Sequence, residues 1–328
     1  MVRFILQRLL FMIPTLFIIS VIGFVIVQAP PGDFVTSYVA ALEAQGDYFD
    51  REYVDGLRAR FGLGKPWYVQ YWRWASNFAQ GDLGYSMSRM EPVSVIIMDR
   101  LPLSFAITFL SFIIVYTIGM SIGVYSATHK YTLADYVVTF VGFLGVAVPA
   151  FLIALIGLWL TFKWTGKVNF GLYSPEMQNA PFNLEKALDL LDHIWLPALI
   201  VGTTGTAGLI RTMRANLLDE LPKQYVMVAR ARGVGPIKLI LKYPMRIAIN
   251  PVISNIGYML PALFEGEVLV SMTLGLPTLA PVLLQGLIRE DMLLVSSIVM
   301  ILAFLVVLGT LVSDILLAIV DPRIRKSV

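Results

Sequence analysis

Hydrophobic residues are concentrated in six long runs, which polar segments separate. Each run contains about 20 or more mostly apolar residues, and as an α-helix a run of that length extends about 30 Å and crosses the hydrocarbon core of a bilayer. The pattern therefore predicts an all-α polytopic membrane protein with six membrane-spanning helices. The predicted spans are residues 9–29, 103–127, 136–162, 195–217, 247–271 and 293–319.

The first apolar run predicts a retained span rather than a cleaved signal peptide. Arg3 and Arg8 precede it, but the run is longer than the apolar region of a signal peptide. It ends at Gln28-Ala29-Pro30-Pro31, which is typical of a helix end rather than of a small-residue cleavage site. The chain is thus expected to comprise an N-terminus with a first span (1–29), a large loop (30–102) and a five-span core (103–328).

The composition supports a membrane protein and excludes several kinds of site. Of the 328 residues, 57% are hydrophobic and 14% are charged, whereas soluble domains carry about 25% charged residues. The chain has no cysteine, so disulfides and thiolate metal sites are excluded. Its two histidines, His129 and His193, are too few for a histidine-based metal centre.

The distribution of charge predicts that both termini lie in the cytoplasm. With that orientation the inside segments hold 14 of the 25 basic residues but only 5 of the 22 acidic residues. An excess of Lys and Arg in short cytoplasmic loops is the usual determinant of topology. Two polar regions remain long: the outer loop 30–102 and the inner segment 211–246. The outer loop is rich in aromatic residues, so part of it is expected to pack against the membrane surface or a partner. Those aromatic residues are Trp67, Tyr68, Tyr71, Trp72 and Trp74.

The inner segment predicts two short helices joined by a tight turn. Asp219 and Glu220 precede Pro222, which favours a helix starting at Pro222, and Gly233 favours its end just after Arg232. Gly235 and Pro236 predict a turn and the start of the next helix. Four residues at helical spacing share a predicted face with a small apolar centre, which is typical of a docking surface. They are Tyr225, Val228, Ala229 and Arg232.

The stretch Val228-Ala229-Arg230-Ala231-Arg232-Gly233 resembles the cytoplasmic "EAA" loop of ABC importer permeases. Its form is similar to that of the oligopeptide/dipeptide/nickel branch, which typically reads Tyr-Val-x-x-Ala-Arg-Ala-x-Gly. Met227 stands in place of the glutamate of the general loop pattern, as is usual in this branch.

Other fragments in the same order extend the resemblance over nearly the whole chain, to the first-permease type of that branch. Each fragment alone is weak, but their order around six spans is specific. The fragments are Pro31-Gly32-Asp33, Gly62-Leu63-Gly64-Lys65-Pro66, Gln70-Tyr71, Gly81-Asp82-Leu83-Gly84-Tyr85-Ser86 and Asp321-Pro322-Arg323-Ile324-Arg325.

The resemblance implies a type I ABC importer permease fold in the bacterial or archaeal cytoplasmic membrane. The short inner helix would be a coupling helix that docks on a cytoplasmic ATPase. Ala229, Ala231 and Gly233 would allow close approach, while Arg230 and Arg232 would steer or pair with acidic residues. The implied partners are a second, homologous permease, two ATPase subunits and an extracytoplasmic binding protein.

The chain is expected to be a non-catalytic translocation subunit. It contains no Gly-x-x-x-x-Gly-Lys-Ser/Thr motif to hold nucleotide phosphates. No cofactor is therefore expected on this chain, and ATP and Mg²⁺ would be used by the partner ATPases.

Two carboxylates near the end of the fifth span, Glu265 and Glu267, are candidates for the translocation path or its outer gate. A charge within a span is costly and is often functional. The family more often has a glutamate at the position of Ser271, one helical turn after Glu267. The alternative is that both glutamates are solvated among outer headgroups.

The substrate stays open at this stage. Leu276-Pro277-Thr278-Leu279-Ala280 departs from the Pro-Gly-Leu-Gly of the peptide-type branch. Peptides come first, oligosaccharides second, and opines or nickel chelates are further alternatives.

Other classes of protein fit the sequence less well. A membrane-embedded enzyme would need a nucleophile, base or metal ligands that the spans lack. A secondary transporter or channel would not need a docking helix, and the basic helix–turn–helix at 222–250 lies between two spans, where an ATPase is a more plausible partner than nucleic acid.

Overall fold

A computed structural model describes residues 2–29, 32–44, 50–166, 170–178 and 180–320. Pro31 of the first sequence fragment and the C-terminal fragment 321–325 lie outside the described residues. In chain order the helices are α1 (Val2–Gln28), α2 (Phe34–Glu43), α3 (Arg51–Phe61), α4 (Trp67–Ala79), α5 (Val93–Thr128), α6 (Leu133–Ala147), α7 (Ala150–Thr165), α8 (Leu184–Glu220), α9 (Gln224–Ala231), α10 (Pro236–Lys242), α11 (Pro244–Ala248), α12 (Asn250–Ser254), α13 (Ile256–Leu274), α14 (Leu279–Ile288) and α15 (Met292–Val320).

The described residues also form one small antiparallel sheet, which the all-α prediction did not include. Strands β1 (Tyr85–Ser86) and β2 (Glu91–Pro92) pair with Tyr85 opposite Pro92 and Ser86 opposite Glu91. The protein is otherwise helical, as the apolar pattern predicts.

The chain divides into two compact units. One contains Met1–Arg8, Leu103–Pro277 and Val306–Val328, and the other contains Leu9–Pro102 and Thr278–Leu305. Residues 278–305 of the predicted five-span segment 103–328 belong to the same compact unit as residues 9–102. Helix α14, which begins in this stretch, was not anticipated from the sequence.

Three helices are long and apolar enough to cross a membrane. They are Arg3–Gln28, Val93–Thr128 and Met292–Val320. The number rises to five when α8, which bends near Thr203, and the pair α13 and α14 are each counted as one span, and α6 and α7 contribute shorter apolar helices. This count covers only the part of the chain that the structure describes. The protein is thus a multi-pass membrane protein, and α15 lies within one residue of its predicted bounds at each end.

The third predicted span, 136–162, is two helices rather than one. Val148 has an extended backbone (φ −93°, ψ 126°) between α6 and α7, and Pro149 precedes the first residue of α7. Proline disfavours the helical conformation of the residue before it, so the break follows from this Val-Pro pair. Helices α6 and α7 nevertheless both run antiparallel to α8, and together they are called the α6–α7 track below. A Cβ built on Gly142 would lie 3.6 Å from Ile210 Cδ1, and one built on Gly157 would lie 3.1 Å from Leu196 Cδ1.

The fifth predicted span, 247–271, is also interrupted. It corresponds to α11, α12 and α13 in succession, separated at Ile249 and Asn255. Both separating residues keep right-handed helical angles. Pro251 lacks the N–H that would continue the hydrogen-bond ladder from α11, which accounts for the interruption next to it at Ile249.

Small residues bring α5 close to α8 in the first unit. A Cβ on Gly123 would lie 2.7 Å from Met213 Cβ, and a Cβ on Gly119 would lie 2.9 Å from Leu209 Cδ2. Glycine is required at such contacts because no larger side chain fits between the backbones. The core of this unit lies around Leu209, Met213 and their neighbours on the surrounding helices.

In the second unit, Asp291 fixes the position of the loop that contains the Gly81–Ser86 fragment. Its buried carboxylate accepts hydrogen bonds from Ser86 Oγ at 2.6 Å and from Ser88 N and Oγ at 2.9 and 2.8 Å. Asp291 also precedes the first turn of α15 and accepts from Leu294 N at 3.4 Å. One aspartate therefore caps a long helix and holds the loop that carries the fragment.

Candidate functional sites: the α9–α10 segment and the Glu267 cluster

Helix α9 begins later than the sequence predicts. Helix α8 continues through Glu220, so Asp219 and Glu220 are its last two residues rather than the acidic start of the next helix. Pro222 ends α8, since helices usually stop before the residue that precedes a proline. Helix α9 then starts at Gln224, with Lys223 at its N-cap.

Glu220 joins the end of α8 to the start of α9. Its buried carboxylate accepts hydrogen bonds from Lys223 Nζ and from Tyr225 OH. Burial opposes ionisation of Glu220, but these two donors outweigh it and hold the pKa of the carboxyl below its usual value. Tyr225 is thus occupied within the chain, anchoring α9.

Gly233 ends α9 in the predicted way. It has a left-handed backbone with φ +76°, and its N–H donates to Arg230 O at 3.0 Å. Val234 N donates to Ala229 O at 3.3 Å, which completes a Schellman motif. A Cβ at Gly233 would meet nothing within 4 Å, so the backbone conformation rather than crowding requires glycine.

The inward face of α9 packs on α10. Val226, Ala229 and Leu239 form a buried cluster, with Tyr225 and Val234 among the residues packed against it. Two residues of the predicted docking face, Tyr225 and Ala229, therefore belong to or pack against this cluster rather than facing outward. Ala229 is only 4% exposed, because α10 folds back over that side of α9.

The outward face of α9 is rotated by one residue from the predicted one. It consists of Gln224, Met227, Val228 and Ala231, again at helical spacing, and all four are exposed. Met227 and Val228 are each about half exposed, and α10 adds the exposed side chains of Ile237 and Leu241. Exposed apolar residues on adjoining helices are typical of an interaction surface.

The basic residues of the segment remain on its surface. Arg230 and Arg232 are exposed, as is Gly233. The segment therefore presents apolar side chains together with positive charge. The sequence analysis missed Met227, Ile237 and Leu241, although the same helical spacing shifted by one residue would have found Met227.

Half-buried Arg214 of α8 forms an ion pair with the buried Asp135 at the start of α6. Arg214 Nη2 donates to Asp135 Oδ2 at 2.9 Å, and Arg214 Nε donates to Asp135 Oδ1 at 3.2 Å and to Ser126 Oγ at 2.8 Å. Tyr131 N donates to Asp135 Oδ2 at 3.0 Å. Asp135 precedes the predicted third span, and its bond to Arg214 contributes most to lowering the pKa of Asp135 to about 2.

This pair ties together the end of α5, the start of α6 and the last turns of α8. Arg214 therefore has a specific partner, whereas the sequence suggested only a general positive charge.

Glu267 lies in the interior of the first unit, on α13. Its side chain has no exposed surface. Ser104 Oγ of α5 donates to Oε1 at 3.1 Å, and Thr108 Oγ1 of the same helix donates to Oε2 at 3.4 Å. Ser271 Oγ, one turn along α13, donates to Oε1 at 3.4 Å.

Of the residues predicted for the translocation path or its outer gate, Glu267 and Ser271 are fully buried within this chain. A carboxylate inside a span needs hydrogen-bond donors, and hydroxyls of the neighbouring helix supply them. Glu265 is on the opposite side of α13 and is exposed. Of the three predicted path residues, only Glu265 has a free surface.

Replacing Glu267 with alanine is expected to lower the stability of the permease by about 1–3 kcal/mol, since it removes the buried acceptor that three hydroxyls share. Glu267→Gln keeps one acceptor oxygen and should lose less. Thermal unfolding of the purified complex in detergent measures both. Glu265→Ala is the matched control because its side chain is exposed, and an equal loss for Glu265→Ala and Glu267→Ala would contradict the role of the cluster.

Metal ligands are sparse in the described ranges. No group of three or more His, Asp or Glu side chains there is arranged to hold a metal ion.

Comparison with known families decides the class of protein. A sequence profile described as the inner membrane component of binding-protein-dependent transport systems matches residues 119–326. A second profile, for the N-terminal part of such membrane components, matches residues 1–108. The chain belongs to this family. It is a membrane permease component of a binding-protein-dependent ABC importer, and the resemblance carried by the 228–233 stretch is confirmed.

Individual relatives match along their whole length. The chain is 36% identical over 329 residues to the oligopeptide transport system permease protein AppB of Bacillus subtilis (strain 168), covering 99% of this chain and 100% of that protein. It is 30% identical over 325 residues to the glutathione transport system permease protein GsiC of Escherichia coli O6:H1, covering 99% of each.

A solved structure supports the fold. A chain of the MetNI methionine ABC transporter in an inward-facing conformation matches with a TM-score of 0.51 at 15% identity. The match covers 70% of this chain and 97% of that one. At this identity the likeness concerns the fold alone, and it agrees with a helical ABC importer permease.

Proposed function

We propose that this permease forms half of the path by which an ABC importer moves peptides across a bacterial cytoplasmic membrane. The other half would come from a second, homologous permease, and two ATPase subunits would bind and hydrolyse ATP with Mg²⁺. An extracytoplasmic binding protein would deliver the substrate. The observation that carries the proposal is the exposed apolar face of α9, closed by Gly233 and followed by α10.

The transmission of movement depends on the contacts that join α9 to its neighbouring helices. Its inner face is packed on α10, Glu220 at the end of α8 accepts a hydrogen bond from Tyr225 of α9, and the Arg214–Asp135 pair joins α8 to α6. A push on Met227 and Val228 by an ATPase would therefore move α8 as well as α9. Closure of the ATPases would be converted into movement of the spans in this way.

The proposed topology has six membrane crossings with both termini inside. They are α1, α5, the α6–α7 track, α8, the α11–α13 series and α15. This arrangement places the 211–246 segment on the cytoplasmic side, where the ATPases are, and leaves 30–102 outside. The basic excess on the inside segments supports this orientation.

Peptides are the favoured substrate because relatives matching over 99% of this chain have oligopeptide and glutathione in their names. The departure at residues 276–280 does not weigh against them. Leu276, Thr278, Leu279 and Ala280 are buried and Pro277 is exposed, so most of this stretch differs in packing rather than in a surface that a substrate would meet.

Substrate-stimulated ATP hydrolysis tests the proposal. The complete transporter, reconstituted in lipid nanodiscs with its binding protein, would be given peptides of several lengths and, in parallel, oligosaccharides. Stimulation by peptides and not by oligosaccharides is expected, with the unliganded binding protein as the control. Stimulation by oligosaccharides alone would overturn the substrate class, and the absence of any copurifying ATPase would overturn the importer assignment for this chain.

A further inference from the structure

Helix α4, in the 30–102 segment, has an unusual distribution of aromatic residues. Its 13 residues contain one charged side chain, Arg73. Tyr71 and Trp74 are buried, but Trp67, Tyr68 and Trp72 are 51%, 53% and 61% exposed. Tyr and Trp in such numbers on one exposed surface are typical of the membrane–water interface, where an apolar ring and a polar tip are both accommodated.

The buried side of α4 packs on α1 within the same compact unit. Tyr71 lies edge-on to Phe24 with a centroid distance of 5.5 Å, and its hydroxyl is 2.8 Å from Ser20 Oγ. Trp74 contacts Phe24 at a centroid distance of 5.5 Å. Trp74 Nε1 donates to Ser297 Oγ of α15 at 3.4 Å. The polar atoms of these two aromatic residues are therefore satisfied inside the protein, as a low-dielectric environment requires.

The position of these contacts along α1 gives the depth of α4. Trp72 is next to Phe17, with ring centroids 6.3 Å apart, and Phe17 is half exposed on the apolar surface of α1. Phe17 precedes the end of α1 at Gln28 by 11 residues, or about 16 Å along the helix axis. The hydrocarbon core of a bilayer is about 30 Å thick, so this level is well below the headgroups.

We propose that α4 is embedded in the bilayer leaflet at the C-terminal end of α1, and that Tyr68 and Trp72 contact lipid acyl chains. The occupant of this surface is lipid because the exposed face of α4 continues the exposed apolar face of α1, which is one of the membrane-crossing helices. This role is additional to the proposed transport function, because α4 would anchor the 30–102 segment to the bilayer.

The remaining polar groups of α4 suit this position. Gln70 Nε2 donates to the carbonyls of Leu63 and Lys65 at 3.3 and 2.7 Å, so its amide is turned to the loop before the helix. Arg73 is exposed, and its guanidinium lies beside the turn before α4, where a Cβ built on Gly62 would be 3.3 Å from Arg73 Nη1.

Spin labelling tests the proposal, and the absence of cysteine from this chain makes single-cysteine variants direct. Labels would be placed at Trp72→Cys and Tyr68→Cys in the full transporter, reconstituted in bilayers, with the cysteines of the other subunits replaced. Ile13→Cys on the apolar face of α1 is the lipid reference, and Asp55→Cys on α3 is the aqueous reference. ATP hydrolysis confirms that each labelled complex is assembled.

Molecular oxygen concentrates in the bilayer and a water-soluble nickel chelate stays outside it, so the two relaxing agents distinguish the environments. Labels at residues 68 and 72 are expected to respond to oxygen as strongly as the label at residue 13. They are expected not to respond to the nickel chelate, unlike the label at residue 55. A nickel response equal to that of residue 55 would overturn the proposal by placing α4 in water. Protection from both agents would also overturn it, by showing that a protein partner covers this face.

Discussion

Asp135→Ala is expected to lower the free energy of unfolding of the permease by about 3 kcal/mol. Removing one member of a buried ion pair leaves the other charge without compensation, which costs about 3–5 kcal/mol. The lower end applies because the Arg214 side chain is 30% exposed, whereas that of Asp135 is 3% exposed. The thermal unfolding midpoint of the purified complex in detergent measures the loss.

Two further variants separate the ion pair from a general effect of lost charge. Asp55→Ala removes a carboxylate that is 76% exposed and should change stability by no more than about 0.5 kcal/mol. The double variant Asp135→Ala/Arg214→Met removes both charges and should recover part of the loss. If Asp135→Ala and Asp55→Ala behaved alike, the pair would have no structural role.

The same pair predicts a pH dependence. The pKa of Asp135 is about 2 in the folded protein and 3.8 in its reference state. A lowered folded pKa contributes stability that is complete above the unfolded value and is lost as the pH falls through the folded value. The contribution of Asp135 should therefore be constant from pH 5 upwards, which is about one unit above 3.8. It should disappear only between about pH 4 and pH 2.

Val228→Asp is expected to reduce substrate uptake by at least about tenfold while the permease remains in the membrane. Val228 is half exposed at the centre of the outward face of α9. An aspartate there would be buried without a partner once an ATPase covered the face, at a cost of about 2–5 kcal/mol, and each 1.4 kcal/mol is tenfold in binding. Uptake of radiolabelled peptide by cells, normalised to permease abundance, measures the effect.

The matched control at this position is Val228→Leu, which keeps the surface apolar and should retain most of the uptake. ATPase subunits should also copurify with the Val228→Leu variant and be lost from the Val228→Asp variant. Full uptake by the Val228→Asp variant would show that this face of α9 does not carry the coupling.

The sequence predicted the helices best where the apolar pattern is long and uninterrupted. Helix α15 agrees to within one residue at each end because nothing in its 29 residues breaks the helix. The third span was predicted as one helix, although Val148-Pro149 breaks it, since hydropathy does not register the backbone angles that a proline imposes. Helix α14 was missed because it follows α13 after a short turn with no polar segment between them.

Contacts between distant segments could not be read from the pattern. The rotation of the α9 surface depends on which side α10 covers, and helical spacing alone allows either side. Glu267 was identified as a costly charge within a span, but its donors Ser104 and Thr108 are about 160 residues earlier in the chain. The same applies to Asp135 and Arg214, which are 79 residues apart.

The most direct test of a permease driven through α9 is a photo-crosslink from that helix. A benzophenone maleimide would be attached to a single cysteine at Val228→Cys in the assembled transporter, with Asp55→Cys as an exposed control outside the α9–α10 segment, and the crosslinked partner would be identified by mass spectrometry. A crosslink from residue 228 to an ATPase subunit is expected, and none from residue 55. If residue 228 crosslinked only to lipid or to the binding protein, or gave no crosslink to an ATPase, the coupling role of α9 would be contradicted.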